Sequence, residues 1–217
     1  MRRSTFTGMR DIDIDILNKL DDKKLIEMCE MDQYLYSICN DQVFWQRRVI
    51  STYRKYLTLE EMKKGKGDRS WSDYYIEVHK LLKKPHLEYE AAVAMRDGRN
   101  DLVTLLKEIK DISITPVVKR SDDFTEEYFV SKYGVRQGSY YLSDVGDQIT
   151  GNYLDGKKIG KWVTYFRDPY DYSIDEYYNT GMLKSHESWS SDLLLEREIY
   201  DESGKPTQLD LWKKQYY

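Results

Sequence analysis

The chain has 217 residues, with 34 Lys and Arg against 38 Asp and Glu and a formal net charge of -4. Hydrophobic residues make up 40%, with 12 Gly and 4 Pro, which excludes collagen-like and low-complexity disordered classes and leaves one large or two small folded domains. The longest apolar run, Ala91 to Met95, is far short of the ~20 residues of a membrane-spanning helix.

No apolar stretch follows Met1-Arg2-Arg3, where Ser4, Thr5, Thr7 and Gly8 stand, so no secretory signal is expected. Cys29 and Cys39 are accordingly expected as reduced thiols in a cytoplasmic compartment. The one basic block is 44–70, where 8 Lys and Arg face 3 acidic residues. It contains Arg47, Arg48, Arg54, Lys55, Lys63, Lys64, Lys66 and Arg69 and reads as a solvated helix face and loop rather than a nucleic-acid surface. Tyrosine shifts the other way, with 13 of 20 after residue 120, which marks a change of architecture.

From Ile12 to Ile50 the apolar positions recur at helical spacing through Ile14, Leu17 and Leu20, then Leu25, Ile26, Met28 and Cys29, then Tyr34, Leu35, Ile38 and Cys39, then Phe44, Trp45 and Val49. Asp21-Asp22 and Asn40-Asp41 are suited to capping the free amides of helix starts, so three or four short helices are expected. Asp11, Asp13 and Asp15 match the opening of a calcium loop, but the sixth position is Ile16, where that loop needs glycine, and a helix start is the better reading. Nine residues separate the two cysteines and six separate His79 from His86, spacings unlike the tight ligand pairs of a zinc site. None of His79, His86 and His186 sits in a catalytic motif, and no metal or cofactor is expected.

Residues 63–70 are polar and glycine-bearing and read as a loop. A helix is predicted from Trp71 to Leu82, stopped before Pro85, and another from Leu87 to Ile109 with a break at Asp97-Gly98. Residues 71–115 form a helical connector packed on the first domain, and Ile112 to Val118 is the crossing into the last one. After residue 120, turns at Gly138, Gly146, Gly151, Asp155-Gly156, Gly160, Thr180-Gly181 and Ser203-Gly204 separate segments rich in Tyr and Trp, the pattern of a β-meander. Tyr153, Tyr177 and Tyr200 recur at 24 and 23 residues, each followed by Gly156, Gly181 or Gly204. The fold class is therefore α+β: a helical domain over 1–62, a loop and helical connector over 63–120, and an antiparallel sheet over 121–217. Trp162, Trp189 and the repeat tyrosines are expected to stack on one face of that sheet as its core.

Residues 12–48 resemble an F-box, on Leu17 and Leu20, Asp21-Asp22-Lys23-Lys24-Leu25, Cys29, and Ile38-Cys39-Asn40-Asp41-Gln42-Val43-Phe44-Trp45. Where that motif commonly opens on Leu-Pro, this chain has Met9-Arg10. The resemblance implies docking to the Skp adaptor of a cullin ubiquitin ligase through Ile14, Leu17, Leu20, Leu25, Ile26 and Trp45. Gly151 to Trp162 with Val163, Tyr165 and Phe166 resembles a MORN repeat of variant type, followed by weaker units at Tyr177–Lys184 and Tyr200–Lys205. It implies stacked hairpins in which Tyr153, Trp162, Tyr165, Tyr177, Trp189 and Tyr200 form the sheet core or a target-binding face. Helical heads of this kind joined to repeat tails resemble proteins of large DNA viruses, acting in the host cytoplasm. The expected function is a substrate-recruiting adaptor without catalysis of its own, and the alternative is a structural or scaffold protein that uses the helices only for packing. A third reading, contact of the basic helices with an anionic membrane surface, is the weakest.

Overall fold

A computed structural model describes residues 6–31, 33–168, 170–191 and 193–211. Met1 to Thr5, with the basic start of the chain, lie outside the described residues, as do Asp32, Pro169, Asp192 and Trp212 to Tyr217. The chain divides into two compact units, Met1–Lys84 and Pro85–Tyr217. The boundaries expected from the sequence lie after residues 62 and 120.

The first unit is helical: α1 (Arg10–Asn18), α2 (Asp22–Met31), α3 (Gln33–Cys39), α4 (Gln42–Tyr53), α5 (Leu59–Lys66) and α6 (Trp71–Leu81). The four helices expected at most before residue 54 all form, and both capping pairs act as read. Asp21 Oδ1 accepts from the Lys24 amide at 2.9 Å, and Asp41 Oδ1 from the Val43 amide at 2.8 Å. The core holds Ile14, Leu17, Leu25, Leu35, Ile38, Cys39 and Phe44. Asp13 turns inward and accepts from the amides of Thr7 and Gly8 and the hydroxyls of Thr7 and Tyr34, which makes the Asp-Ile repeat a helix start.

Two expectations fail in this unit. Cys29 and Cys39 are joined in a disulfide, because α2 and α3 pack side by side and bring their Cα atoms to 5.9 Å. Spacing along the chain, ten residues, carried no sign of that approach. Residues 63–66 continue a helix instead of opening a loop. The capping box of Thr58 and Glu61 fixes its start, and burial of Met62 and Gly65 holds its far turn against the poor helix propensity of glycine. α6 follows from Ser70, whose hydroxyl accepts the Asp73 amide, and buries Trp71, Tyr74, Tyr75, Val78 and Leu81.

The second unit opens with α7 (Leu87–Arg96) and α8 (Asn100–Lys110), broken at Asp97-Gly98 as the sequence predicts. Nine strands follow: β1 (Ile114–Arg120), β2 (Thr125–Ser131), β3 (Arg136–Ser143), β4 (Gln148–Leu154), β5 (Lys157–Tyr165), β6 (Asp171–Tyr177), β7 (Leu183–Ser190), β8 (Leu193–Tyr200) and β9 (Pro206–Leu211). Each pairs antiparallel with the next in a single meander. The expected crossing segment is thus already a strand, and Pro116 is tolerated there because β1 is an edge. The expected connector is divided: α6 packs on α4 in the first unit, whereas α7 lies on β3 and β1 of the sheet. The contact is close, since a Cβ on Gly138 would fall 2.6 Å from Ala92 Cβ.

The turns at one end of the meander repeat. Ser131–Val135, Tyr178–Met182 and Asp201–Lys205 share one bonding pattern, in which the first residue donates to the fifth and the fourth, a glycine, donates back to the first. Asp155-Gly156 makes the two-residue version, with φ of 50° and 78°, the paired left-handed residues of a tight hairpin. Past β5, Ser173 is the one buried residue among those described, so the sheet there is a single layer whose long side chains cover one another.

Candidate functional site

In the first unit, α2, α4 and α6 leave an apolar groove of about 710 Å3 lined by Leu25, Ile26, Trp45, Tyr75, Ile76 and His79, with Lys23, Lys80 and Lys83 at its rim. Its floor is made rigid by aromatic contacts. Trp45 meets Phe44 at 5.1 Å and Tyr75 at 5.5 Å, and Tyr75 stacks on His79 at 5.9 Å. The Trp45 indole N–H donates to the Cys39 carbonyl at 2.6 Å, which fixes the ring in its place beside the groove.

Beneath the floor lies a polar cluster around Asp22. The Arg48 guanidinium, 5% exposed, donates to Asp22 Oδ1 at 2.6 Å and to the carbonyls of Leu17 and Leu20 at the end of α1. The Tyr75 hydroxyl donates to the same carboxylate oxygen at 2.8 Å. His79 Nε2 lies 2.8 Å from Asp22 Oδ2, a close polar contact off the line of a directed hydrogen bond. Burial pushes the Asp22 carboxyl up, but the hydrogen bonds from Arg48 and Tyr75 and the charges of His79 and Arg48 outweigh it and hold the group below its ordinary range. Burial and the Asp22 carboxylate push the Tyr75 phenol up. The cluster ties α1, α2, α4 and α6 together under the groove and leaves the Asp22 charge committed inward.

The six residues expected to dock a partner separate into two groups. Ile14, Leu17 and Leu25 are 0–2% exposed and belong to the core, so they are not a free surface. Leu20 and Trp45 are half-buried against that core, and Ile26 is 57% exposed at the groove. Helical spacing marks which residues face inward together, and it cannot say whether the inward face meets the chain's own helices or a partner. Sequence reasoning missed Arg48, Tyr75, Ile76, His79 and the rim lysines, because α6 joins the site from outside the F-box-like stretch. The basic block is also dispersed: Arg47 pairs with Asp11, Arg48 is buried, and Arg69 bonds Glu77 and the Gly65 carbonyl.

In the sheet unit the expected aromatic stack occupies two faces rather than one. Trp162 and Tyr153 are buried, their rings 5.0 Å apart, and both meet Tyr140, whose ring lies 6.4 Å from Tyr128. Cations interleave with them: Arg136 lies over Tyr128, Tyr140 and Tyr153, and Lys158 over Trp162 and Tyr177. Burial and the Glu126 carboxylate push the Tyr140 phenol up to about 12. Tyr165, three residues after Trp162 on one strand, points to the other face, where it meets Tyr172 at 5.9 Å and, through it, Trp189. Tyr165 is exposed, Trp189 and Tyr177 are half-buried, and Tyr200 is half-buried with its hydroxyl bonded to Glu198.

His186 has acquired partners that its sequence context did not suggest. Its Nδ1 lies 2.6 Å from Asp175 and its Nε2 3.0 Å from Ser188 Oγ. The order carboxylate, imidazole, hydroxyl is that of a nucleophilic triad. Here it runs across the interior strands β6 and β7, whose backbone amides are engaged in the ladder on both sides instead of being aimed at an oxyanion. The arrangement is a cross-strand polar chain.

No protein-family model matches the chain, and no curated protein matches it. Among solved structures, a crystal structure of TarM overlays with a TM-score of 0.30 at 10% identity, covering 65% of this chain and 30% of that one. A crystal structure of an S. aureus TarM variant in complex with Fondaparinux, alpha-GlcNAc-glycerol and UDP overlays with a TM-score of 0.19 at 13% identity, covering 62% of this chain and 26% of that one. The chain thus spans less than a third of the proteins it overlays, and at these scores neither overlay bears on what it does.

Proposed function

We propose that the chain is a non-catalytic recruiting protein, an F-box-like adaptor that docks a Skp-type subunit of a cullin ubiquitin ligase through its helical unit and holds a target on its sheet. The observation that carries this reading is the open apolar groove around Ile26 and Trp45. An exposed isoleucine beside a rigid aromatic floor is a surface whose burial against a partner is favourable by about 1.5–3 kcal/mol per side chain. Ubiquitin transfer would belong to the assembled ligase, with this chain supplying proximity.

Co-purification from eukaryotic cells with a probe for the Skp adaptor tests it, comparing the parent with Ile26→Asp. A charge facing an apolar interface is desolvated without a partner, so the variant is expected to lose the adaptor while keeping its melting temperature. A folded Ile26→Asp protein that captures the adaptor as well as the parent does would defeat the reading. The burial of Ile14, Leu17 and Leu25 supports the scaffold alternative, in which the helices serve only as a packing unit. That alternative gains if neither protein captures the adaptor.

A further inference from the structure

We infer that the groove between α2, α4 and α6 receives an acidic amphipathic helix of a protein partner, its apolar side chains seated on Ile26, Trp45 and Ile76 and its carboxylates on Lys23, Lys80 and Lys83. This inference rests on the proposed docking role and adds to it the chemistry of the segment that docks. Three features of the groove lead to it.

The first is charge. Lys23, Lys80 and Lys83 stand exposed on the rim, and no described acidic side chain forms an ion pair with any of them. The one acidic residue in the lining, Asp22, is turned inward to Arg48, Tyr75 and His79. The rim is therefore a cluster of unneutralised positive charge around an apolar floor, which favours carboxylates and disfavours a basic segment.

The second is the kind of backbone that can bind. The described residues of this unit form helices and turns, whose amides are satisfied internally, so the groove has no strand edge on which an extended peptide could add a strand. Recognition has to run through side chains, which is the helix-in-groove mode, read by apolar anchors one and two turns apart. Third, Ile26 and Ile76 are 57% and 42% exposed although they flank a floor of aromatic rings. The volume of the groove suits the apolar side chains of one helix face and not an entire helix.

The test is selection on the intact chain from a randomised helical peptide library displayed on phage, with sequencing of the retained peptides. Retained sequences are expected to carry two or three large apolar residues at helical spacing with Asp and Glu beside them. Binding of a retained peptide should fall about ten-fold or more on Ile76→Asp, and also on combined Lys23→Glu, Lys80→Glu and Lys83→Glu, a change of ~1.4 kcal/mol or more. The charge-reversed protein, whose substitutions are all at exposed positions, should keep its melting temperature. Retained peptides without acidic enrichment, an empty selection, or peptides indifferent to the lysine reversals would each overturn the inference. The docking role is judged separately by adaptor capture. If Ile26→Asp abolishes capture while the lysine reversals leave it intact, the inference fails and the role stands. If acidic helices bind as described while the adaptor is never captured, the role fails and the inference stands.

Discussion

Replacing Gly151 by alanine is expected to destabilise the sheet unit by about 3 kcal/mol through one collision. A Cβ at this position would lie 2.1 Å from Trp162 Cδ2, 2.3 Å from Cε2 and 2.6 Å from Cγ. Carbon atoms in contact settle at about 3.5–4.0 Å, so the indole must retreat by more than an ångström. It has little room, being 3% exposed and held by Tyr153 at 5.0 Å, Tyr140 at 5.3 Å and the Lys158 ammonium at 4.4 Å. Gly151 has no left-handed backbone, and alanine is otherwise the better strand residue, so the loss is steric. Overpacking costs about 1–3 kcal/mol, and complete loss of the ring in Trp162→Ala, about 3–5 kcal/mol, sets the upper limit. Urea titration followed by far-ultraviolet circular dichroism measures both variants and their combination. In the Trp162→Ala background Gly151→Ala should be within about 0.5 kcal/mol of neutral, because the atoms it strikes are gone. An equal cost in both backgrounds, or a Gly151→Ala protein as stable as the parent, would refute the argument.

Arg48→Ala leaves Asp22 partly buried without its main partner and is expected to cost about 3–5 kcal/mol in the helical unit, read by thermal melting. Because the folded protein holds the Asp22 carboxyl below its ordinary value of 3.8, the stability it contributes is full above that value and is lost as pH falls through the lower folded value. Asp22→Asn should therefore flatten the acid limb of the stability profile, and an unchanged limb would exclude Asp22 as its source. The Cys29–Cys39 disulfide closes a short loop, with a sequence separation of 10. Reduction or the double serine variant is expected to cost about 2–3 kcal/mol, measured as a lower melting temperature in reducing agent. Leu25→Asp should unfold the helical unit while Ile26→Asp leaves its stability within about 0.5 kcal/mol, a contrast that circular dichroism reads directly and that equal behaviour of the two would contradict.

The sequence by itself determined the kind of most elements, α5 and β1 apart, and half of the hairpin turns, while Gly138, Gly151 and Gly160, expected at turns, lie within β3, β4 and β5. Helical spacing through Leu17, Leu25 and Leu35, caps at Asp21 and Asp41, the break at Asp97-Gly98 and the hairpin at Asp155-Gly156 are local, and local sterics and hydrogen bonding decide them. Which surfaces meet was left to tertiary structure, because that depends on residues far apart in the chain. The Cys29–Cys39 bond required α2 to lie along α3, and the burial of Leu25 required it to join the core cluster of Ile14, Leu17 and Leu35. The transfer of α7 to the sheet required Gly138 to admit Ala92. The division of Trp162 from Tyr165 follows from strand alternation once the register is known, since a separation of three residues reverses the face. The groove itself joins α2 and α4 to α6, and its floor rests on Asp22 reaching Tyr75, 53 residues later. No periodicity carries that contact, because a helix records only which of its own residues share a face and not what that face will touch.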